Sequence, residues 1–176
     1  MPDVRILLCD DAELAQLRRR LSVRHACPRC GSETHGRPLA ADGHISISHA
    51  PGLHAVALSA EPVGIDAEAL GSGGGIEDVA LHRAERAALG AMRGDERTRA
   101  VLEVWVAKEA ALKLVGTGLT TPPESFVARH ADGWGIPAGV LGDRPVTFTR
   151  VPVPGYVVML ASHRPVRLSG IPRMDR

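Results

Sequence analysis

Two lysines, Lys108 and Lys113, stand against 19 arginines, and both fall in one short segment, Trp105-Val-Ala-Lys108-Glu109-Ala-Ala-Leu-Lys113. A chain that writes nearly every cation as arginine keeps lysine where geometry or proton transfer requires it, because the two are interchangeable only at undemanding sites. Glu109 and Lys113 are one helical turn apart, so carboxylate and ammonium share a face and can hold each other. On an open surface that is a solvated ion pair; in a partly buried setting it is an acid/base unit. Trp105 one turn earlier and the Gly116-Thr117-Gly118 ending point to the buried setting. A second constellation is purely acidic. Asp66 and Glu68 are two apart in a β-like run, so both carboxylates project from one face and can share a hard cation. Magnesium takes one or two protein carboxylates together with phosphate oxygens and water, which suits such a pair at a strand end. The same Asp-x-Glu spacing also suits two unrelated acids on a solvated edge.

The elements that must position these groups read as an α+β pattern. A strand near Val4–Cys9 is followed by a helix opened by Asp10-Asp11 and running through Leu14, Leu17 and Leu21. Residues 27–39 read as loop. Three β-like runs at 45–48, 55–58 and 63–68 are separated by Pro51-Gly52 and Glu61-Pro62 turn signals, an antiparallel meander. After the glycine-rich connector 71–75, helical periodicity covers 76–92 and 97–115, and strands return near 125–130, 145–151 and 156–161. The connector lacks the Gly-Lys-Ser/Thr ending and the G-x-G-x-x-G spacing of a phosphate loop and reads as a flexible link. The element pattern loosely repeats, and the chain fits one ordinary domain or two small halves sharing a core.

Composition narrows the class. The 176 residues are 44% hydrophobic and 23% charged with a formal net charge of +1, the profile of a globular domain. Near-neutral charge without a polybasic run speaks against nucleic acid, and no apolar stretch is long enough for a membrane span or signal-peptide core. A cytoplasmic location is expected. Three cysteines are an odd number for a disulfide framework. Cys27-Pro-Arg-Cys30 between His25 and His35 has half of a zinc-site spacing, which the histidines could complete; reduced thiols in a turn or a redox dithiol are the other readings.

Gly64-Ile65-Asp66-Ala67-Glu68, followed some forty residues later by Trp105-x-x-Lys108-Glu109-Ala-x-x-Lys113-x-x-Gly116-x-Gly118-Leu119, resembles the two signature motifs of the 4′-phosphopantetheinyl transferases of the surfactin-synthetase-activating (Sfp-like) type. Further elements are similar and in family order: His35-Gly36-Arg37-Pro38, Ile45-Ser-Ile-Ser48-His49, Leu81-His-Arg-Ala-Glu85, Gly118-Leu119-Thr-x-Pro-x-x-Ser125-Phe126 and Pro154-Gly155-Tyr156. The resemblance implies a pseudo-twofold α+β fold of two halves, residues 1–70 and 71–176 with a short first half, packed as one compact unit that holds coenzyme A in the cleft between them. It also implies transfer of the 4′-phosphopantetheine arm to a serine of an apo acyl or peptidyl carrier protein, as in fatty-acid, polyketide or nonribosomal peptide synthesis, with release of 3′,5′-ADP.

By resemblance, Asp66, Glu68 and Glu109 surround Mg²⁺, Glu109 takes the proton of the acceptor serine, and Lys113 stabilises or protonates the departing phosphate. Arg37, Ser48, His49 and Lys113 contact coenzyme A. Glu85 approaches the metal–phosphate site, and Lys108 falls in the motif without an assigned role. The segment ahead of His35 is short for the family, which leaves Arg24, His25 and Arg29 as substitutes for basic contacts to the 3′-phosphate. Exposed apolar residues in 115–121 are the expected carrier-docking surface, and a monomer is expected because the cleft needs no second subunit. The rivals are a non-catalytic coenzyme A- or carrier-binding module, a small zinc protein built on His25, Cys27, Cys30 and His35, and another magnesium-dependent pyrophosphate hydrolase, since pyrophosphate cleavage needs similar acids.

Overall fold

A computed structural model describes residues 1–27, 30–33, 36–72, 75–130 and 133–170. Strand β1 (Asp3–Cys9) leads into helix α1 (Asp11–Arg20). The helix starts where the acidic pair predicts, because Asp10 accepts from the Glu13 amide at 2.9 Å while Glu13 accepts from the Asp10 amide at 3.0 Å, a closed capping box. Within the expected loop a short hairpin forms, β2 (Arg24–Ala26) with β3 (Arg37–Leu39). The meander continues as β4 (His44–Ala50), β5 (Leu53–Ser59) and β6 (Val63–Ala69).

Two sheets face each other. The first has the order β11-β1-β5-β4, in which β11 (Arg167–Ser169) pairs parallel with β1; the second has the order β6-β10-β9, built with β9 (Thr147–Arg150) and β10 (Tyr156–Ser162). Alternate residues of the two, Val4, Ile6, Ala55 and Ala57 against Val63, Ile65, Val158 and Leu160, form one buried core. Helix α1 covers the outer face of the first sheet through Leu14 and Leu17 on Ile45, Ile47 and Val56. The 22-residue α4 (Gly94–Val115) covers the second through Val106, Ala107, Ala110 and Leu114 on Val157, Met159 and Ala161. The expected α+β class is thus present as two helix-covered sheets. The line at residues 70/71 does not separate them: β6 precedes it yet pairs with β10, and β11 returns from the chain's end to the first sheet. Among the described residues, no helix is long and apolar enough to cross a membrane.

The helix expected over 76–92 is two short ones, α2 (Glu77–Ala80) and α3 (Arg83–Ala88). The break is local: Leu81 is extended and buried, and the His82 ring accepts from the Ala84 amide to restart the helix. Beyond α4 come two 3-10 turns, Gly118–Thr120 and Pro123–Ser125, and the two-residue strands β7 (Arg129–His130) and β8 (Gly133–Trp134), where one strand over 125–130 was expected.

The junction between the sheets is held by side chains. On the edge of β6 away from β10, the amides of Ile65 and Ala67 have no strand partner, and the hydroxyls of Ser46 and Ser48 on β4 accept from them at 3.0 and 3.2 Å. Serine hydroxyls therefore close the seam where a strand ladder is missing.

Candidate active site

Gly64, Asp66 and Glu68 share one face of β6, and that face meets α4. A Cβ at Gly64 would stand 2.0 Å from the Ala110 carbonyl oxygen and 2.5 Å from the Leu114 nitrogen, so only glycine admits the helix this close. With Ala110 against the strand, the neighbouring stripe Trp105, Glu109 and Lys113 lies over Asp66 and Glu68. The signal for this approach was present in the sequence as the glycine two residues before Asp66.

Asp66 is 5% exposed. Its Oδ1 accepts from the Ser48 hydroxyl at 2.7 Å and from the Lys113 ammonium at 2.6 Å, while its Oδ2 is buried without a partner. Lys113 thus does not pair with Glu109 one turn away, as the spacing suggested; its long stem crosses to β6. Glu109 keeps a buried Oε1 that nothing donates to, and its carboxyl is raised above the ordinary value by burial and then by the Asp66 charge, against the pull of Lys113. Glu68 is raised for the same first two reasons, with hydrogen bonds from Ser72 and Trp105 opposing. Three carboxylates in mutual repulsion, two carrying orphaned buried oxygens, are short of positive charge.

They do not form a closed cage: among the described residues, no three His, Cys, Asp or Glu side chains are grouped tightly enough to enclose a metal ion. An open acidic face still fits magnesium, which keeps most of its shell for water and phosphate oxygens. The zinc reading gains nothing here. His25 Nδ1 lies 3.1 Å from the Gly36 carbonyl in the β2/β3 hairpin, and His35 and Arg29 lie outside the described residues.

Beside the acidic face opens a cleft of about 340 Å³, lined by Arg37 and Pro38 of β3, Ser46 of β4, and Leu112, Lys113 and Gly116 at the end of α4. It lies between β3 and β4 on one side and the end of α4 on the other. Gly116 ends α4 in the left-handed region at φ 80°, and a Cβ there would come within 3.3 Å of Arg37 Nη1. Arg37 Nη2 is buried without a partner at this wall, a donor suited to an anionic oxygen.

His49, at the exposed end of β4, is lowered by burial first, then by the charges of His54, Arg18 and Lys113. Its Nε2 lies 3.2 Å from Arg18 Nη2. Arginine can only donate, so Nε2 accepts and the ring proton sits on Nδ1, free to donate outward. Arg18 was legible only as part of a basic run, since its place beside His49 depends on α1 packing over β4.

Two expected residues, Ser48 and Glu85, are placed differently, and Lys108, which had no assigned role, gains one. Ser48 is 3% exposed and its hydroxyl is committed to Asp66 and the Ala67 amide, not to the cleft. Glu85 does not reach the acidic face: its oxygens accept from Lys108 and the amides of His82, Ala128 and Arg129. Lys108 is fully buried and donates to Glu85 at 2.5 Å, the Ala80 carbonyl at 2.8 Å and the Pro123 carbonyl at 2.9 Å. These two join α3, α4 and the 123–129 turn, a task set by contacts 15 to 44 residues apart.

A family model for the 4′-phosphopantetheinyl transferase superfamily matches residues 62–158, more than half of the chain, from β6 through α4 into β10. The chain is 29% identical over 140 residues to the 4′-phosphopantetheinyl transferase Sfp of Bacillus subtilis (strain 168), covering 73% of this chain and 60% of that protein. A further Bacillus subtilis 4′-phosphopantetheinyl transferase is 32% identical over 108 residues, 58% of this chain and 47% of the relative. The chain thus spans about three-fifths or less of the length of these relatives. A crystal structure of a holo-(acyl-carrier-protein) synthase from Bacillus anthracis str. Ames in complex with CoA (3′,5′-ADP) is similar at TM-score 0.44 and 22% identity, over 57% of this chain and 92% of that one. The matched segment holds Asp66, Glu68, Glu109 and Lys113 in the geometry described, and this chain belongs to the 4′-phosphopantetheinyl transferase superfamily.

Proposed function

We propose that the protein transfers the 4′-phosphopantetheine group of coenzyme A to a serine hydroxyl of an apo acyl or peptidyl carrier protein, with Mg²⁺, releasing 3′,5′-ADP. The observation that carries this reading is the pair of orphaned buried oxygens, Asp66 Oδ2 and Glu109 Oε1, on an acidic face beside the cleft that Lys113 and Arg37 line. Asp66, Glu68 and Glu109 are the residues that would hold the ion. When bound, magnesium supplies charge neutralisation and Lewis-acid polarisation of the pyrophosphate.

The chain's own groups divide the remaining work. Arg37 binds a phosphate oxygen in the cleft, and His49 donates from Nδ1 to another. Glu109, whose raised carboxyl is the stronger base, takes the serine proton as Oγ bonds to phosphorus and the bond to the 3′,5′-ADP oxygen breaks. Lys113 gives its proton to, or holds charge on, that departing oxygen. The cleft and the acidic face are built by β3, β4, β6 and α4 of one chain, and a monomer is the proposed state. Leu119, 62% exposed at the cleft's rim, belongs to the apolar surface on which the carrier docks.

The experiment is intact-mass spectrometry of a panel of apo carriers incubated with the protein, coenzyme A and Mg²⁺, with an EDTA control. The expected result is a magnesium-dependent gain of one phosphopantetheine on at least one carrier. Coenzyme A binding without mass gain on any carrier would favour the non-catalytic binding module.

A further inference from the structure

Ser46 and Ser48 do the same thing for β6 and differ in one respect. Both are buried, both accept from an edge amide, and both close the seam. Only Ser48 passes its proton to a carboxylate, the Asp66 Oδ1 at 2.7 Å. We infer that Ser48 is a positioning residue that fixes the Asp66 carboxylate so that its free oxygen faces the cation. The inference rests on the reading of Asp66 as a metal-binding group.

A hydroxyl has one proton and two lone pairs. Because the Ala67 amide occupies a lone pair of Ser48 at 3.2 Å, the backbone of β6 sets where the hydroxyl sits, and its proton goes to Asp66. Asp66 Oδ1 then carries two donors, Ser48 from a strand and Lys113 from a helix, and Oδ2 carries none. Lys113 alone cannot set the carboxylate plane, since its side chain is 28% exposed on a flexible four-carbon stem. Ser48 is the rigid member of the pair. This accounts for its burial away from the cleft that Ser46 lines and for its place one residue before His49, which does face outward. Partners of metal-binding side chains typically contribute tenfold to a hundredfold in metal affinity.

The test is Mn²⁺ titration, followed by electron paramagnetic resonance with saturating 3′,5′-ADP, of wild type, Ser48→Ala, Ser48→Thr, Ser48→Cys and Ser46→Ala. Ser48→Ala should bind Mn²⁺ about 10- to 100-fold more weakly, and Ser48→Thr, which keeps the hydroxyl, should recover most of that. Ser46→Ala should lose thermal stability to a similar degree as Ser48→Ala yet keep its Mn²⁺ affinity within about threefold, below the range for a lost metal-site partner. In turnover with a responsive carrier, the Ser48→Ala deficit should shrink as Mg²⁺ is raised, with KM for coenzyme A unchanged. If Ser48→Ala does not fold, Ser48→Cys, close in size and a weak donor, carries the same comparison. Equal Mn²⁺ losses in the Ser46 and Ser48 variants, or wild-type affinity in Ser48→Ala, overturn the inference while leaving Asp66 as a ligand. Failure of the wild type itself to bind Mn²⁺ overturns the metal reading and the inference with it.

Discussion

Lys108 and Lys113 sit on the same helix, five residues apart, and do opposite things. Lys108 points into the interior, where burial lowers its pKa while Glu85 holds it charged, and its three protons meet three acceptors. Lys113 points to the cleft, holds a single carboxylate oxygen and leaves two protons unassigned. Their acidic partners differ in the same way. Glu85 is saturated by four donors, whereas Asp66 and Glu109 each keep a buried oxygen that nothing satisfies. Saturated polar networks hold a fold in one arrangement; a buried polar atom without a partner calls for another account, of which a catalytic role or a bound ion is one. Lysine stands at both places, once as a compact triple donor and once, in the proposed mechanism, as the donor of a transferable proton, and identity of residue type alone does not tell them apart.

The largest effect should come from removing the unsatisfied side. Asp66→Ala or Glu109→Ala should lower transfer by at least about a thousandfold, on the order of 4 kcal/mol of barrier, with the fold intact. Rates from carrier mass gain and unfolding curves check the two halves of this statement. For Glu109→Ala the stability at pH 7 should equal or exceed the wild type's. Its carboxyl is raised in the folded state, so its ionised form opposes folding, a cost absent below the ordinary carboxylate pKa and complete above the raised one. A clear stability loss in Glu109→Ala would place this carboxylate with Glu85, among the structural groups.

Next in size is the saturated side. Lys108→Met leaves the buried Glu85 carboxyl without its cation, and should cost about 3–5 kcal/mol of folding free energy, read by urea unfolding. Glu85→Gln should cost a similar amount: its amide oxygen can still accept from Ala128 and Arg129, but its NH2 group then faces the Lys108 ammonium and the His82 amide, and the buried cation loses its counter-charge. Turnover per folded molecule should survive in both. Loss of turnover beyond the unfolded fraction would erase the contrast between the two lysines.

Lys113→Arg sharpens the contrast from the other end. Arginine keeps the charge that attracts phosphate but holds its proton too tightly to donate it. Coenzyme A affinity should stay near the wild-type value while kcat falls by about a hundredfold, the ordinary scale of general acid catalysis. Equal losses in binding and turnover would reduce Lys113 to an electrostatic anchor.

The range of each interaction decides how much of it could be read from the chain. Asp66 and Glu68 were legible as a pair because strand alternation is local, and α1 was legible because its cap lies within four residues of its start. The choice of Asp66 over Glu109 by Lys113 was not, since the local rule of one helical turn lost to a contact 47 residues away. The tasks of Glu85 and Lys108, the Arg18–His49 contact and the parallel pairing of β11 with β1 share that cause. The helix break at Leu81-His82 was a local signal of another kind, a histidine acting as an N-cap, which the apolar periodicity overran.

The smallest effect concerns His49 at the exposed end of β4. His49 is lowered by burial and by three neighbouring positive or ionisable groups, with Asp11 alone opposing among its causes. A histidine lowered by folding contributes stability that is present above its unfolded pKa and lost as pH falls through the lowered one. In the free protein its NMR titration midpoint should therefore lie below the ordinary histidine value, and Arg18→Ala should move it upward. Adding 3′,5′-ADP should move it upward as well, because phosphate charge favours the imidazolium and Nδ1 already points a proton outward. An Arg18→Ala response without a nucleotide response would make the Arg18–His49 contact a fastening of α1 to β4, comparable to Lys108 and Glu85. Phosphate recognition in the cleft would then fall to Arg37 and Lys113, the two cations lining it whose donors are not all satisfied.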